Sequence, residues 1–134
     1  MAIQYSITHR TNAMTDIATQ AGINAVIKLF SGAAPANCGT VDSGTLLVQF
    51  AGNATQFGTA TSGVLTASAV AGVNAAATGT PGYFRVYPNA ATTSNAVFQG
   101  TVGTTGTDMI LTAATVTAGQ ACTFTSLTTT AFGV

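Results

Sequence analysis

Apolar residues recur along the chain with two different periods, and the change falls at Gly22. Between His9 and Ala21 they stand at Ala13, Met14, Ile17, Ala18 and Ala21. Steps of three and four place them on one face of an α-helix. Thr8 or Thr11 can cap its start, and Gly22 sits where a helix-ending glycine belongs. Residues 1–8 read as an extended arm and residues 9–22 as the helical segment.

Beyond Gly22 the period shortens to two. Val, Ile, Phe, Tyr and Thr gather in short runs separated by Gly, Asn and Pro, the signature of strands and turns. Ile23–Phe30 sets Ile23, Ala25, Ile27 and Leu29 on one face, and Thr45–Phe50 sets Leu46, Val48 and Phe50 together. Val64–Val70, Tyr83–Tyr87, Ala96–Val102 and Met109–Thr112 follow, with a weaker strand between Val73 and Thr78. In Ala121–Thr129, Cys122 and Phe124 are in phase and Leu127 is not, which predicts a bulge. Seven to eight short strands with one short N-terminal helix predict a mainly β chain, an antiparallel β-sandwich or barrel. No crossover helices are present to connect a parallel sheet. The 134 residues make one domain, with residues 23–134 as its β part. The longest irregular stretch, Ser31–Gly44, reads as a surface loop.

Charge changes the picture more than any motif. Only 4% of residues are charged: Arg10, Lys28, Arg85, Asp16, Asp42 and Asp108, with His9 the one histidine. Typical soluble domains carry about 25%. Proton-transfer and hydrolytic chemistry need positioned acids and bases, and the supply here is three Asp and one His. Binding nucleic acid requires cations that displace counterions from phosphate, so three cations at zero net charge argue against a nucleic-acid partner. The same argument weighs against an anionic membrane surface. A surface with few charges tends to associate, which favours self-association or docking on a lattice. No apolar run approaches the ~20 residues of a membrane span. Met1-Ala2-Ile3-Gln4-Tyr5 lacks the basic and apolar regions of a secretory signal, so synthesis in a cytoplasm is expected. There, Cys38 and Cys122 are expected as two thiols, the alternative being a bridge between them.

Several short constellations are candidates for chemistry. Asp42-Ser43-Gly44 is the triplet of aspartic proteases, in which a homodimer supplies two carboxylates sharing a proton. Pro35, Asn37 and Gly39 precede it where an apolar strand belongs, so it reads as a turn. Gly100, Gly103 and Gly106 lack the Lys of a phosphate loop and predict a glycine-rich hairpin turn. His9 has no acid and nucleophile beside it, and with Cys38 and Cys122 it shows no metal-ligand spacing. Neither a metal nor a cofactor is expected. Lys28 reads as a solvated outward side chain; the alternative is a buried Lys crosslinked to Asn or Asp. Asn53-Ala54-Thr55 is a glycosylation sequon without a secretory route. Tyr83, Arg85 and Tyr87 share one sheet face, opposite Phe84 and Val86. Tyr and Arg are enriched at binding hot spots, which makes these three the candidate exposed contact patch; the alternative is that they cover a neighbouring strand.

Longer blocks carry a family resemblance. They are Val26–Cys38 (VIKLFSGAAPANC), Ser43–Leu47 (SGTLL), Gly79–Tyr87 (GTPGYFRVY) and Phe98–Gly103 (FQGTVG). Ile110–Thr112, Ala118–Gln120 and Phe124-Thr125 continue it, so that it runs from about Ile23 to Thr130. In these the chain resembles small virion structural proteins of tailed bacteriophages. The resemblance implies a β-rich fold, no catalysis and a place in the virion. Within it the reading is a capsid decoration (cement) protein on the outside of the major-capsid lattice, with the major capsid protein and further copies of itself (a trimer or dimer) as partners. A tail component is the alternative. A homodimeric hydrolase using Asp42 is the rival from another class.

Overall fold

The computed structural model describes residues 2–51, 56–70 and 72–133; the Asn53-Ala54-Thr55 sequon lies outside them. Helix α1 runs over Ile7–Ala21 and opens two residues before the predicted start. The reason is its cap. The Ser6 hydroxyl accepts from the His9 amide at 3.2 Å, so Ser6 does what was expected of Thr8 or Thr11. Gly22 ends the helix at φ 72°, in the left-handed region that suits glycine.

Among the described residues nine strands follow: β1 (Val26–Ser31), β2 (Leu46–Ala51), β3 (Val64–Thr66), β4 (Val73–Asn74), β5 (Pro81–Tyr87), β6 (Phe98–Gly103), β7 (Met109–Leu111), β8 (Ala121–Cys122) and β9 (Phe124–Thr130). Seven form one sheet in the order β2-β1-β5-β6-β7-β9-β3, and β4 pairs with β8 in a small second sheet. In place of a two-sheet sandwich there is one curled sheet, a half-barrel. The curl follows from distances. Five strand spacings of about 4.8 Å separate β2 from β9 in a flat sheet. Yet the rings of Phe50 on β2 and Phe124 on β9 meet edge to face with centroids 5.1 Å apart. Both ends of the sheet therefore bend onto one core.

The concave face is set by period two and by register. Ile27 stands between Phe50 and Val86, and Leu29 between Val48 and Phe84. These six residues join Met109, Leu111, Phe124 and Leu127 in the main core. Ala75 and Cys122, from β4–β8 and its flank, pack on the same core. The predicted bulge on the last strand is present: Ile110 pairs with Ser126 but Leu111 with Phe124, so Thr125 is extra and Phe124 and Leu127 both point inward. Helix α1 lies against β3, where Met14, Ala60, Leu65 and Ala131 form a smaller cluster.

Two expectations need correction. The glycine-rich segment after β6 does not make a hairpin, because β6 and β7 run parallel, with Val102 opposite Met109. The chain loops back instead, and Asp108 fixes the return by accepting from both the amide and hydroxyl of Thr101 at 2.8 Å. The N-terminal arm is also not free. The Tyr5 amide donates to the Gly133 carbonyl at 3.2 Å, and the Tyr5 ring stacks on His9 and meets Phe132 edge to face.

Candidate functional site

The convex face of β1, β5 and β6 carries the chain's most concentrated polar chemistry. Alternation puts Val26, Lys28 and Phe30 of β1 on this face with Tyr83, Arg85 and Tyr87 of β5 and with Gln99 of β6. Register then aligns Gln49, Lys28, Arg85 and Gln99 as a row across four strands. Tyr83, Arg85 and Tyr87 do share one face, but they are not an exposed patch. Their exposures are 1%, 0% and 0%, and that of Lys28 is 4%. The sequence reading of a contact patch is thereby corrected, as is that of Lys28 as a solvated side chain.

Two loops cover the face. Gly32–Thr45 connects β1 to β2, and Pro88–Val97 connects β5 to β6. Since β1 and β5 are antiparallel, the loops leave opposite ends of the sheet and fold back toward each other. They meet through Asp42 N donating to Thr93 O and Ala96 N donating to Cys38 O, each at 2.9 Å. Gly82 makes the first crossing possible, because a Cβ there overlaps the Gly32 carbonyl oxygen.

Arg85 is the hub. Its Nε donates to Gln99 Oε1 at 2.9 Å, and its Nη2 donates to Asn37 O at 2.9 Å. Its Nη1 lies within donor distance of Thr40 O (2.7 Å), Asp42 Oδ1 (3.1 Å) and the Tyr87 hydroxyl (3.2 Å). The two N–H groups of Nη1 are shared among three acceptors, while Nε and Nη2 have one acceptor each. Gln99 Nε2 adds a bond to Pro35 O at 2.8 Å. The Tyr83 hydroxyl donates to Ser43 O and accepts from Ser43 N, while its ring stacks on Phe30. Asn37 holds the loop's turn, its Oδ1 accepting from the amides of Gly39 and Thr40. Lys28 serves the other loop, donating to Ala90 O and Thr92 O at 2.9 and 2.8 Å, with Nζ 4.9 Å from the centre of the Tyr87 ring. Like charges opposite each other across strands repel. Here Asp42 neutralises Arg85, and the carbonyls of the other loop and the Tyr87 ring solvate Lys28.

Electrostatics follow the geometry. Burial works against the charged guanidinium, and the bonds to Tyr87 and Asp42 outweigh it, holding Arg85 above its ordinary value. The Tyr87 hydroxyl donates to Asp42 Oδ1. Burial first, and that bond second, push the Tyr87 phenol up to about 12 from its ordinary 10. The folded state therefore keeps a proton that the unfolded chain loses first. The stability this linkage contributes is complete below pH 10 and is lost as pH rises toward about 12. Unfolding titrations should show a loss across that window which Tyr87→Phe flattens; an unchanged slope in the variant contradicts the assignment.

The remaining sequence candidates do not assemble a site. Asp42 pairs with Arg85 and Tyr87, not with a second carboxylate. His9 is exposed on the first turn of α1, beside Tyr5. Both cysteines are free thiols; Cys122 is buried, which raises its thiol above the ordinary value. Lys28 reaches carbonyl oxygens, not the side-chain amide or carboxyl of a crosslink. Among the described residues no three of His, Cys, Asp and Glu gather, and no helix is long and apolar enough to cross a membrane. Sequence reasoning missed Lys28, Asp42, Asn37 and Gln99 as members of the cluster. One signal was available: Val26 and Phe30 share the phase of Lys28, and a strand apolar in both phases is covered on both faces.

Comparison with protein-family models, with curated proteins and with solved structures finds no match to this chain.

Proposed function

We propose that this chain is a non-enzymatic structural subunit of a tailed-phage virion, a decoration protein that binds the outside of the major-capsid lattice. The observation that carries the reading is where the charges go. Lys28, Arg85 and Asp42 hold loops on the convex face, and Asp108 holds the return into β7. Arg10, Asp16 and His9 on α1 and the exposed Asp108 are the acidic and basic side chains left at the surface. The outer surface is thus built mainly of uncharged residues, suited to docking by shape, hydrogen bonds and apolar contact. Nucleic acid as a partner lacks support, because two of the three cations face loop carbonyls rather than solvent. The Asp42 hydrolase also lacks support. Asp42 is held by Arg85 and Tyr87, whereas that chemistry needs two carboxylates sharing a proton.

The resemblance across Ile23–Thr130 supplies the virion context, and binding energy supplies the mechanism. A protein that binds only the assembled shell shifts the equilibrium toward that shell. The test is to add purified protein to heads of the encoding phage made without it. Saturable binding to heads and a higher temperature of genome release are expected. Absence of binding to heads, or binding to tails alone, contradicts the reading, and the latter points to a tail subunit.

A further inference from the structure

The main sheet has a gap in it. Where Val102 of β6, Met109 of β7 and Leu127 of β9 stand side by side, β7 fills the column between neighbours two strand spacings, about 9.6 Å, apart. The chain enters that column only at Asp108, whose carbonyl accepts from Thr128 N and whose amide donates to Thr101 Oγ1, each at 3.2 Å. Beyond Asp108 the column holds no strand, and an open cavity lies there, lined by Phe84, Phe98, Gln99, Asp108, Thr128 and Thr129. Main-chain groups point into it from both sides. On β6, Thr101 N turns away from β5 to Asp108 Oδ2, so by alternation the N–H and C=O of Gln99 face the gap as well. On β9, Leu127 O accepts from Ala67 N and Ala131 N donates to Gly63 O, both on the β3 side. The Thr128 C=O and both main-chain groups of Thr130 therefore face the gap. Among the described residues no strand or loop pairs with these groups. Asp108 closes one end: its Oδ2 accepts from the amide and hydroxyl of Thr101 at 2.8 Å, and its Oδ1 makes no hydrogen bond. The side chain is exposed, and the one ion pair among the described residues is elsewhere, between Arg85 and Asp42.

We propose that this gap takes up one extended segment of another protein, added as a strand between β6 and β9, with a Lys or Arg of that segment directed to Asp108. Rows of unpaired N–H and C=O groups are a template for an added strand, and here two rows face each other across the width of one. Running antiparallel to β9 and continuing the column of β7, the segment meets Thr130 on one side and Gln99 on the other. Every second side chain turns toward the rings of Phe84 and Phe98, which selects a small apolar residue there. The exposed carboxylate of Asp108 sets the sign of the charge beside it. A second copy of the chain does not offer that cation: Lys28 and Arg85 hold loops, and Arg10 is packed beside Gly63 with its Nε buried. The inference deepens the decoration reading and rests on it only for the owner of the segment, a protein of the capsid shell.

The test is an NMR titration of the full chain with the capped peptide acetyl-Thr-Val-Lys-Val-Thr-amide at millimolar concentration, and with the same peptide carrying Glu in place of Lys. Saturable shifts are expected at the Gln99, Asp108 and Thr130 amides, with the Glu peptide bound about tenfold more weakly or worse. Asp108→Asn keeps an acceptor for Thr101 and should make the two peptides equal. Thr130→Pro removes a donor that faces the gap and should abolish the shifts at Gln99, circular dichroism verifying the fold of each variant. Absence of saturable shifts, shifts confined to another surface, or equal binding of both peptides by the parent chain overturns the proposal. So does a gap filled by a second copy, seen as the same shifts on raising the protein concentration without peptide. Heads separate this failure from that of the decoration reading. If folded Thr130→Pro binds them as the parent does, the gap is not the docking element and decoration stands. If the parent takes the Lys peptide and does not bind heads, the strand site stands and decoration fails.

Discussion

Arg85→Ala is expected to destabilise the fold by about 3–5 kcal/mol, the usual cost of removing one partner from a buried ion pair. The substitution strips Asn37 O, Thr40 O and Gln99 of a donor and leaves Asp42 without its cation. Against the roughly 5–15 kcal/mol that holds a domain together, this is a large fraction. Urea unfolding measures it. Arg85→Lys should recover little, because one ammonium cannot replace a planar fork with five donors. In a double-mutant cycle, Asp42→Ala should cost much less on the Arg85→Ala background than alone. A loss near zero for Arg85→Ala contradicts the hub. Loss of loop order should appear in hydrogen exchange at the Asp42 and Ala96 amides, which join the two loops.

Phe124→Ala is expected to cost about as much, 3–5 kcal/mol, by a different route. Phe124 is fully buried on the concave face and touches Phe50 across the curl. Its removal leaves a cavity where the two ends of the sheet converge. Phe124→Leu should cost far less, since it keeps most of the volume. Thr125→Ala, at the exposed bulge residue, should fall within about 0.5 kcal/mol of the parent, as surface changes do. Equal costs at 124 and 125 contradict the inward assignment of Phe124.

Much of this architecture was legible in the residues. The period of three and four fixed the core-facing side of α1, and the phase slip between Phe124 and Leu127 located a real bulge. The start of α1 was misplaced because three hydroxyl residues, Ser6, Thr8 and Thr11, can all cap, and tertiary contacts of Tyr5 select the first. The return into β7 was read as a hairpin because glycines signal a turn without giving strand direction; Asp108 on Thr101 decides that. Period two placed Tyr83, Arg85 and Tyr87 together on one face. Whether that face met solvent depended on two loops, and loop paths follow from long-range bonds that spacing does not encode. The outcome was the reverse of a contact patch. The scarce charges are most concentrated where they are most buried.

That distribution leads back to function. Arg85, Lys28 and Asp42 hold loops and Asp108 holds a turn, so four of the six charged side chains are engaged within the fold. What remains is a firm, nearly uncharged body suited to docking on another surface. The most direct test of the proposed decoration role is the copy number and position of this protein in purified virions of the phage that the proposal implies, by quantitative mass spectrometry and electron cryomicroscopy. Hundreds of copies in regular positions on the outside of the head are predicted. A handful of copies, density on the tail alone, or absence from the particle contradicts the account.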